Sequence, residues 1–201
     1  MKHELDAGHP PIAAPLLDVT TARLDLKRFD EADLDELSSV FANPEVWRFP
    51  YGRAFTRDET EEFLRVQIRE WESCGFGCWI ARERITGRVI GYVGLSVPNF
   101  LPEILPAIEV GWRFEPTSWG KGFASEGARA ALKEAFTTLG LMEVCSIPQS
   151  ENPPSAAVCE RIGMRLEGKV TIPANDKRRE LTALLYRMSV ESWRSVHGVE
   201  I

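Results

Sequence analysis

The sequence feature that most restricts the possible folds of this chain is the junction between a predicted strand and a predicted helix near residue 120. Residues 107–115 (AIEVGWRFE) read as a strand. The segment 119–126 (WGKGFASE) follows, with two glycines flanking a lysine. The helix predicted over 122–139 has a regular apolar stripe: Ala124, Ala128, Ala131, Leu132, Ala135, Phe136 and Leu139. A strand that passes through a glycine-rich turn into an amphipathic helix is typical of α/β folds.

The rest of the chain supplies a similar mixture of elements. Hydrophobic alternation, turn residues and helix stop signals predict the order β-α-α-β-β-β-α-β-α-β-β. The predicted strands are 20–29, 76–84, 88–97, 107–115, 142–148, 164–172 and 181–190. The predicted helices are 30–42, with Asp30 as its cap, then 57–73, 122–139 and 153–162. We therefore expect one α/β domain with a mixed, mostly antiparallel central sheet flanked by helices, over 20–195 and after an N-terminal lead-in of 1–19.

Charge and hydropathy exclude several classes of protein. The 201 residues include 24 basic and 30 acidic side chains, a net charge of -6, which argues against a nucleic-acid partner. The longest apolar stretches are only a few residues, against the roughly 20 that a membrane-spanning helix needs. Without a recognisable signal peptide, the expected location is cytoplasmic, with no membrane partner.

Histidine and cysteine positions exclude more chemistry. The three histidines are His3, His9 and His197, so no imidazole is available between residues 10 and 196 for a Ser-His-Asp or Cys-His mechanism. Cys74 and Cys78 form one C-x3-C pair with no second pair at metal-site spacing. We expect reduced thiols and no metal.

The segment 119–126 has the features of an anion site. Glycines let the main chain approach a ligand closely, and the first N–H groups of the following helix have no partner within it. Together with the positive end of the helix dipole, these donors suit a pyrophosphate. A glycine-rich turn without a ligand is the alternative. The dinucleotide fingerprint fails because Ser125 stands at its last glycine position, and the nucleotide P-loop spacing is absent.

Four sequence segments, in order, carry a resemblance to a known family. They are 43–46 (NPEV), 90–95 (IGYVGL), 109–126 (EVGW to WGKGFASE) and 152–164 (Asn152, Ser155, then ERIGM). Together they resemble the GNAT acetyltransferases, most closely the branch of ribosomal-protein N-terminal (alanine and serine) acetyltransferases. The resemblance covers about residues 20–193 and implies a single GNAT-type acyltransferase domain.

The resemblance also implies acetyl-CoA as the acetyl donor, with no metal. The implied cofactor-binding residues are Val110, Gly111, Trp112, Trp119, Gly120, Lys121, Gly122, Phe123, Ala124, Ser125, Asn152 and Ser155. It further implies that the strand splays around 110–112, where pantetheine pairs with its edge. A local bulge at Gly111 would fit this, although a plain strand glycine is the alternative. Three positions depart from the family pattern: Trp119 replaces Arg or Gln, Cys159 replaces a tyrosine, and Met164 replaces Phe.

Acetyl transfer to an amine requires a neutral amine, a stabilised oxyanion and a protonated thiolate. A strand N–H around 110–112 could stabilise the oxyanion. Glu109 is the candidate base, directly or through water, and a solvated strand glutamate is the alternative. Ser155 and Cys159 lie four residues apart, on one helical face, and either could protonate the thiolate. The alternatives are solvent as the acid and Cys159 as a small buried hydrophobe.

Aromatic residues in two loops are the candidate acceptor pocket. Trp47, Phe49, Tyr51 and Phe100 could form its walls, with Glu45 and Glu103 as acidic neighbours for an amine. They could equally cover the core.

The sequence therefore predicts an N-acetyltransferase acting by direct attack in a ternary complex, with a protein N-terminal α-amine as the leading acceptor. A small-molecule amine is the alternative acceptor, and a non-catalytic CoA-binding regulatory module is the alternative class. A nicotinamide-dependent enzyme would depend on the Gly-x-Gly alone. The oligomeric state, a homodimer included, stays open.

Overall fold

A computed structural model describes residues 14–176 and 178–197. Within this part of the chain, eight strands form one sheet, accompanied by five α-helices. The strands are β1 (Val19–Thr20), β2 (Leu24–Lys27), β3 (Cys78–Glu83), β4 (Val89–Ser96), β5 (Glu109–Phe114), β6 (Glu143–Ser146), β7 (Arg165–Ile172) and β8 (Leu181–Ser189). The helices are α1 (Leu34–Phe41), α2 (Arg57–Cys74), α3 (Phe123–Thr137), α4 (Pro153–Arg161) and α5 (Val190–His197). In the described part of the chain, no helix combines the length and apolar character needed to cross a membrane.

The sheet is mixed and mostly antiparallel. Its strand order is β1-β2-β3-β4-β5-β6-β8-β7, and every neighbouring pair is antiparallel except β5 and β6. Those two strands are joined through α3, the kind of crossover that a parallel pair requires. The fold class predicted from the sequence is confirmed.

Local sequence signals set the ends of the helices that border the site. Thr56 and Glu59 form a reciprocal capping box at the start of α2, and Gly75 ends that helix in the left-handed conformation. Asp30 also forms a capping box, but it caps a short 3-10 turn over Glu31–Asp33 that leads into α1. Asn152 caps α4, with proline at its first position.

Side chains bury both faces of the sheet. One face packs against α3, α4 and α5 through a cluster that includes Val93, Val110, Leu132 and Cys159. The other packs against α1 and α2 through a second cluster with Phe41 and Leu64. β5 supplies Val110 and Phe114 to the first cluster, so by strand alternation its odd-numbered residues face the side of α2.

The sequence prediction differs from the structure near both ends of the described chain. The strand predicted over 20–29 is two short strands, because a turn at Thr21, whose N–H donates to the Leu24 carbonyl, interrupts it. Leu16, before the predicted domain start, is 1% exposed and packs in the core. The helix α5 was not predicted, since residues 181–190 were expected to close the fold as a strand. Trp193 of α5 packs near Phe136, with ring centroids 5.5 Å apart.

Candidate active site

The site begins where β5 and β6 separate. Their parallel pairing has a single register contact, Glu109 opposite Cys145. Beyond this point, the chain that continues from β6 pairs with β8 instead. The Leu184 N–H donates to the Pro148 carbonyl (2.8 Å), and Gln149 forms an isolated β-bridge with Ala183. The sheet therefore opens in a V towards the carboxyl ends of β5 and β6.

One edge of this V is main chain of β5. The Ile108 carbonyl accepts from Cys145 on the β6 side, whereas the Glu115 N–H donates to Ile90 on the β4 side. Because these groups alternate along a strand, the N–H and carbonyl of Trp112 face the V, where no strand of the described residues lies opposite. The Phe114 carbonyl, next along this edge, accepts from the indole N–H of Trp119 at 2.8 Å.

The bulge predicted at Gly111 is wrong. Gly111 pairs with Gly94 in an uninterrupted β4–β5 register, whereas register shifts occur between β3 and β4, at Ala81 and Arg82, and between β7 and β8, at Leu166 and Gly168. A Cβ at Gly111 would meet nothing within 4 Å. This glycine therefore leaves open space beside Glu109 without distorting the strand.

The loop before α3 is shaped for main-chain contacts. Gly120 and Gly122 have φ values of +72° and +84°, which glycine adopts at little cost. The first helical N–H bond of α3 is donated by Glu126 to Gly122, so the N–H groups of 123–125 have no partner within the helix. Phe123 and Ser125 are themselves buried. The loop therefore has the free main-chain donors that an anion site requires, and anion binding there stays a prediction.

Arg23, which sequence reasoning did not select, braces that loop. Its guanidinium donates to the Lys121 carbonyl (2.8 Å) and to Glu126 (2.7 Å), and its main-chain N–H also donates to Glu126 (2.8 Å). The guanidinium lies 4.7 Å from the centre of the Phe123 ring. The turn that interrupts the predicted strand 20–29 brings Arg23 to this position.

Glu109 lies at the apex of the V. Its Oε1 accepts from the Ile147 N–H at 3.2 Å, across the point where the two strands part. Burial raises the pKa of this carboxyl to about 7, against the smaller opposing effect of that hydrogen bond. A carboxyl with a pKa near neutrality can accept a proton at physiological pH.

The two candidates for protonating the thiolate lie in different surroundings. Ser155 lines a cavity that also contains Glu109, and its Oγ accepts from Asn152 Nδ2 at 3.0 Å. Its own hydroxyl hydrogen therefore remains available to a further acceptor. Cys159 is 0% exposed, does not line that cavity, and has a pKa raised to about 12 by burial. Cys159 therefore has the surroundings of a small buried hydrophobic residue, which was the alternative that the sequence left open.

The cavity occupies the α2 side of the V and has a volume of about 790 Å³. The four predicted aromatic residues, Trp47, Phe49, Tyr51 and Phe100, all line it. Trp47 is nevertheless 4% exposed, stacked on Phe55 at 3.8 Å and covered by the Arg113 guanidinium at 3.9 Å. Its main contribution is therefore to hold the wall in place.

The acidic side of this cavity is not the one expected. Glu45 and Glu103 do not line it, and Glu45 is exposed and paired with Arg48. The carboxylates that do line it, besides Glu109, come from α2: Asp58, Glu59, Glu62 and Glu70. Glu59 is paired with Arg53 at 2.5 Å. Asp58 and Glu59 lie four and three residues before Glu62, which was the available signal, but this spacing is also common on solvated helix faces.

The sequence that builds this site matches a known family. Residues 23–165 match the acetyltransferase (GNAT) domain family. The chain belongs to this family, and it is therefore an acetyl-CoA-dependent N-acetyltransferase by class.

Particular relatives illustrate the range of that class. The chain is 33% identical over 155 residues to the FsC-acetyl coenzyme A-N(2)-transacetylase of Aspergillus fumigatus, spanning 72% of this chain and 63% of that protein. An acetyltransferase structure from Agrobacterium tumefaciens superposes with a TM-score of 0.69 at 28% identity, over 90% of this chain and 99% of that one. The ribosomal-protein-S5-alanine acetyltransferase of Vibrio fischeri shares the fold, with a TM-score of 0.69 at 16% identity, over 89% and 99% of the two chains.

The structure gathers the predicted residues into two groups. Glu109, Gly111, Trp112, Asn152 and Ser155 line the cavity with the four aromatic residues. The loop 119–125 lies beyond the end of β5, joined to it by the Trp119–Phe114 hydrogen bond. Val110 and Cys159 point into the core.

Proposed function

We propose that this chain transfers the acetyl group of acetyl-CoA to the α-amine of a protein or peptide N-terminus, by direct attack in a ternary complex. The observation that carries the proposal is the position of Glu109. Its carboxyl lies at the apex of the V, between the free edge of β5 and the acceptor cavity. The donor would lie along that edge, with its pyrophosphate on the amides of the loop 119–125.

The acceptor enters as an ammonium and must lose a proton before it attacks. Glu109 would take that proton, directly or through one water, and its pKa of about 7 suits it to an α-ammonium whose pKa is about 8. The amine nitrogen then attacks the thioester carbonyl carbon. A main-chain N–H at the V, that of Trp112, would stabilise the negative oxygen. Attack leaves the nitrogen with a positive charge and a second proton to lose. Collapse breaks the carbon–sulfur bond, and as Ser155 protonates the thiolate the nitrogen returns its second proton to the Ser155 oxygen, directly or through water, so that the neutral amide and the free thiol form.

The departing thiolate requires a proton. Ser155 is better placed for this role than Cys159, because Ser155 lines the cavity and its hydroxyl oxygen accepts a hydrogen bond from Asn152. The thiol of Cys159 lies in the core with a pKa raised by burial, so it is a poor donor to a group in the V.

The proposal is tested by following thiol release from acetyl-CoA with a short peptide acceptor, from pH 6 to 9. We expect kcat/KM for the native chain to rise with the ionisation of a group near pKa 7 as well as with that of the amine. Glu109→Gln should lower kcat by about 10²–10⁴-fold, the usual contribution of a general base, and leave only the dependence on the amine. Glu103→Gln, at an exposed carboxylate that does not line the cavity, is the matched control and should retain the native profile.

Other outcomes select other functions. Unchanged kcat/KM in Glu109→Gln at every pH removes this residue from the mechanism. Turnover confined to small amines would favour a small-molecule amine as the acceptor. The carboxylates of α2 that line the cavity are the feature that supports this alternative. Binding of acetyl-CoA without turnover of any amine in a broad panel would favour the non-catalytic module.

A further inference from the structure

A second cavity, of about 690 Å³, lies beside the acceptor cavity. It runs between the carboxyl half of α2 and the connection from β4 to β5, residues 97–108. Phe76, Leu95 and Ile108 give it apolar walls, and Ser73 and Asn99 are among its polar lining residues. Neither the resemblance nor the proposed reaction assigns it a role.

The two cavities adjoin each other. Four residues line both of them: Val66, Glu70, Ser96 and Val97. The second cavity therefore lies in the direction that a molecule with its amine at Glu109 would take past Glu70. Glu70, at this junction, lines the acceptor cavity together with Cys78 and Glu109.

A buried polar atom at this junction lacks a partner. Gln67 is 7% exposed and lines the acceptor cavity. Its Nε2 donates to Glu70 at 3.2 Å, but its Oε1 is buried and accepts no hydrogen bond from any described residue. A buried carbonyl left unsatisfied costs about 1–3 kcal/mol, so a rotation of the Gln67 side chain that brings Oε1 to the N–H of a ligand in the adjoining cavity would be favoured.

We propose that Gln67 and the second cavity form an extended peptide subsite. The α-amine of the acceptor lies at Glu109, the N–H of its first peptide bond donates to Gln67 Oε1, and the following residues run past Glu70 into the second cavity. This inference rests on the proposed function and deepens it, because it makes the acceptor an extended peptide. An extended peptide advances about 3.3 Å per residue, so several of its residues beyond the first would contact this protein.

The first test is a series of peptide amides of one to five residues with the same first residue. We expect kcat/KM to increase by roughly tenfold or more between one and four residues, mainly through KM, since the added contacts bind substrate and transition state alike. Asn99→Trp places a large side chain in the second cavity and should reduce the ratio between the four-residue and one-residue acceptors. Ile85→Trp, at a side chain 94% exposed and outside both cavities, is the matched control and should keep the native ratio.

The second test addresses Gln67. Gln67→Met removes the amide oxygen at similar size, and Gln67→Glu keeps an acceptor. We expect Gln67→Met to raise KM roughly tenfold for a dipeptide amide, consistent with one hydrogen bond of about 1.4 kcal/mol. It should have little effect on the matched acceptor whose first peptide bond is an ester, and Gln67→Glu should recover part of the loss. Thermal melts identify any general loss of folding.

The outcomes separate this inference from the proposed function. Equal kcat/KM for all peptide lengths, or an equal loss on the amide and the ester in Gln67→Met, overturns the extended subsite while leaving N-acetyl transfer standing. Failure to acetylate any peptide overturns the proposed function and the inference with it.

Discussion

The burial that suits Glu109 to its proposed role as the base also affects the stability of the fold. The surroundings that raise its pKa also disfavour its ionised form in the folded chain. The folded state therefore retains this proton to higher pH than the unfolded state does, between the ordinary value of 4.5 and about 7. Since the folded state binds more protons in this window, stability falls as the pH rises through it.

Removal of that ionisation should stabilise the fold above neutral pH. We expect Glu109→Gln to melt at nearly the same temperature as the native chain near pH 4.5, and at a higher temperature at pH 8. The shift in pKa sets an upper limit of about 3 kcal/mol, and a chain of this length gains about 2–4 °C for each kcal/mol. Melting curves from pH 4.5 to 8 check this, with Glu62→Gln as the control. A difference that does not grow with pH would contradict the assigned burial.

Residue roles were predictable from the sequence only where local chemistry defines them. The glycines at 120 and 122 and the cap at Asn152 act through their own backbone, so a short segment was enough to select them. Arg23 and Gln67 were not selected, because their roles come from contacts distant in sequence or from a cavity. Arg23 lies 103 residues from Glu126, which its main-chain N–H contacts. No local pattern marks such a pair.

At the scale of elements, the predictions succeeded where the hydrophobic period was long and clear. The helices α2 and α3 and the meander from β3 to β5 were predicted within a few residues. The helix α5 has only eight residues, too few for a clear period, and its burial depends on Phe136 of α3. The V was implied by the family resemblance rather than by periodicity, since strand pairing is a property of two segments.

The loop before α3 allows a matched test of the donor site. Gly120 and Gly87 have nearly equal φ values, +72° and +68°, and a Cβ would meet nothing within 4 Å at either. Alanine at either position should therefore destabilise the fold by a similar amount, about 1–2 kcal/mol. Only Gly120→Ala alters the loop of the proposed pyrophosphate site. We expect calorimetry to show about tenfold weaker binding of CoA for Gly120→Ala and native affinity for Gly87→Ala. Equal affinities would place the pyrophosphate elsewhere.

At the scale of the whole molecule, the site belongs to no single segment. The 790 Å³ cavity takes residues from the loop after α1, from α2, from the two arms of the V, and from the β7–β8 hairpin. The sequence predicted its aromatic wall, because large apolar residues in loops are conspicuous. It assigned the acidic wall to Glu45 and Glu103, whereas carboxylates of α2 form it. This could not be predicted, because the position of α2 beside the V depends on how the helix packs against the sheet.

The complete site should prefer α-amines to lysine side chains. Glu109, the proposed base, has a pKa of about 7, whereas α-amines and ε-amines have pKa values of about 8 and 10.4. At pH 7 about one tenth of an α-amine is neutral, against roughly one part in 2,500 of an ε-amine. We therefore expect a kcat/KM ratio of about 10² or more between a peptide with a free α-amine and its α-acetylated counterpart with a free lysine. The ratio should narrow from pH 7 to pH 9.5, because the α-amine is by then fully neutral while the neutral fraction of lysine continues to rise.

Mass spectrometry of the products locates the acetyl group on either nitrogen. Preferential acetylation of lysine at pH 7 would show that the cavity selects an ε-amine by shape, and the assignment of the acceptor would then be wrong.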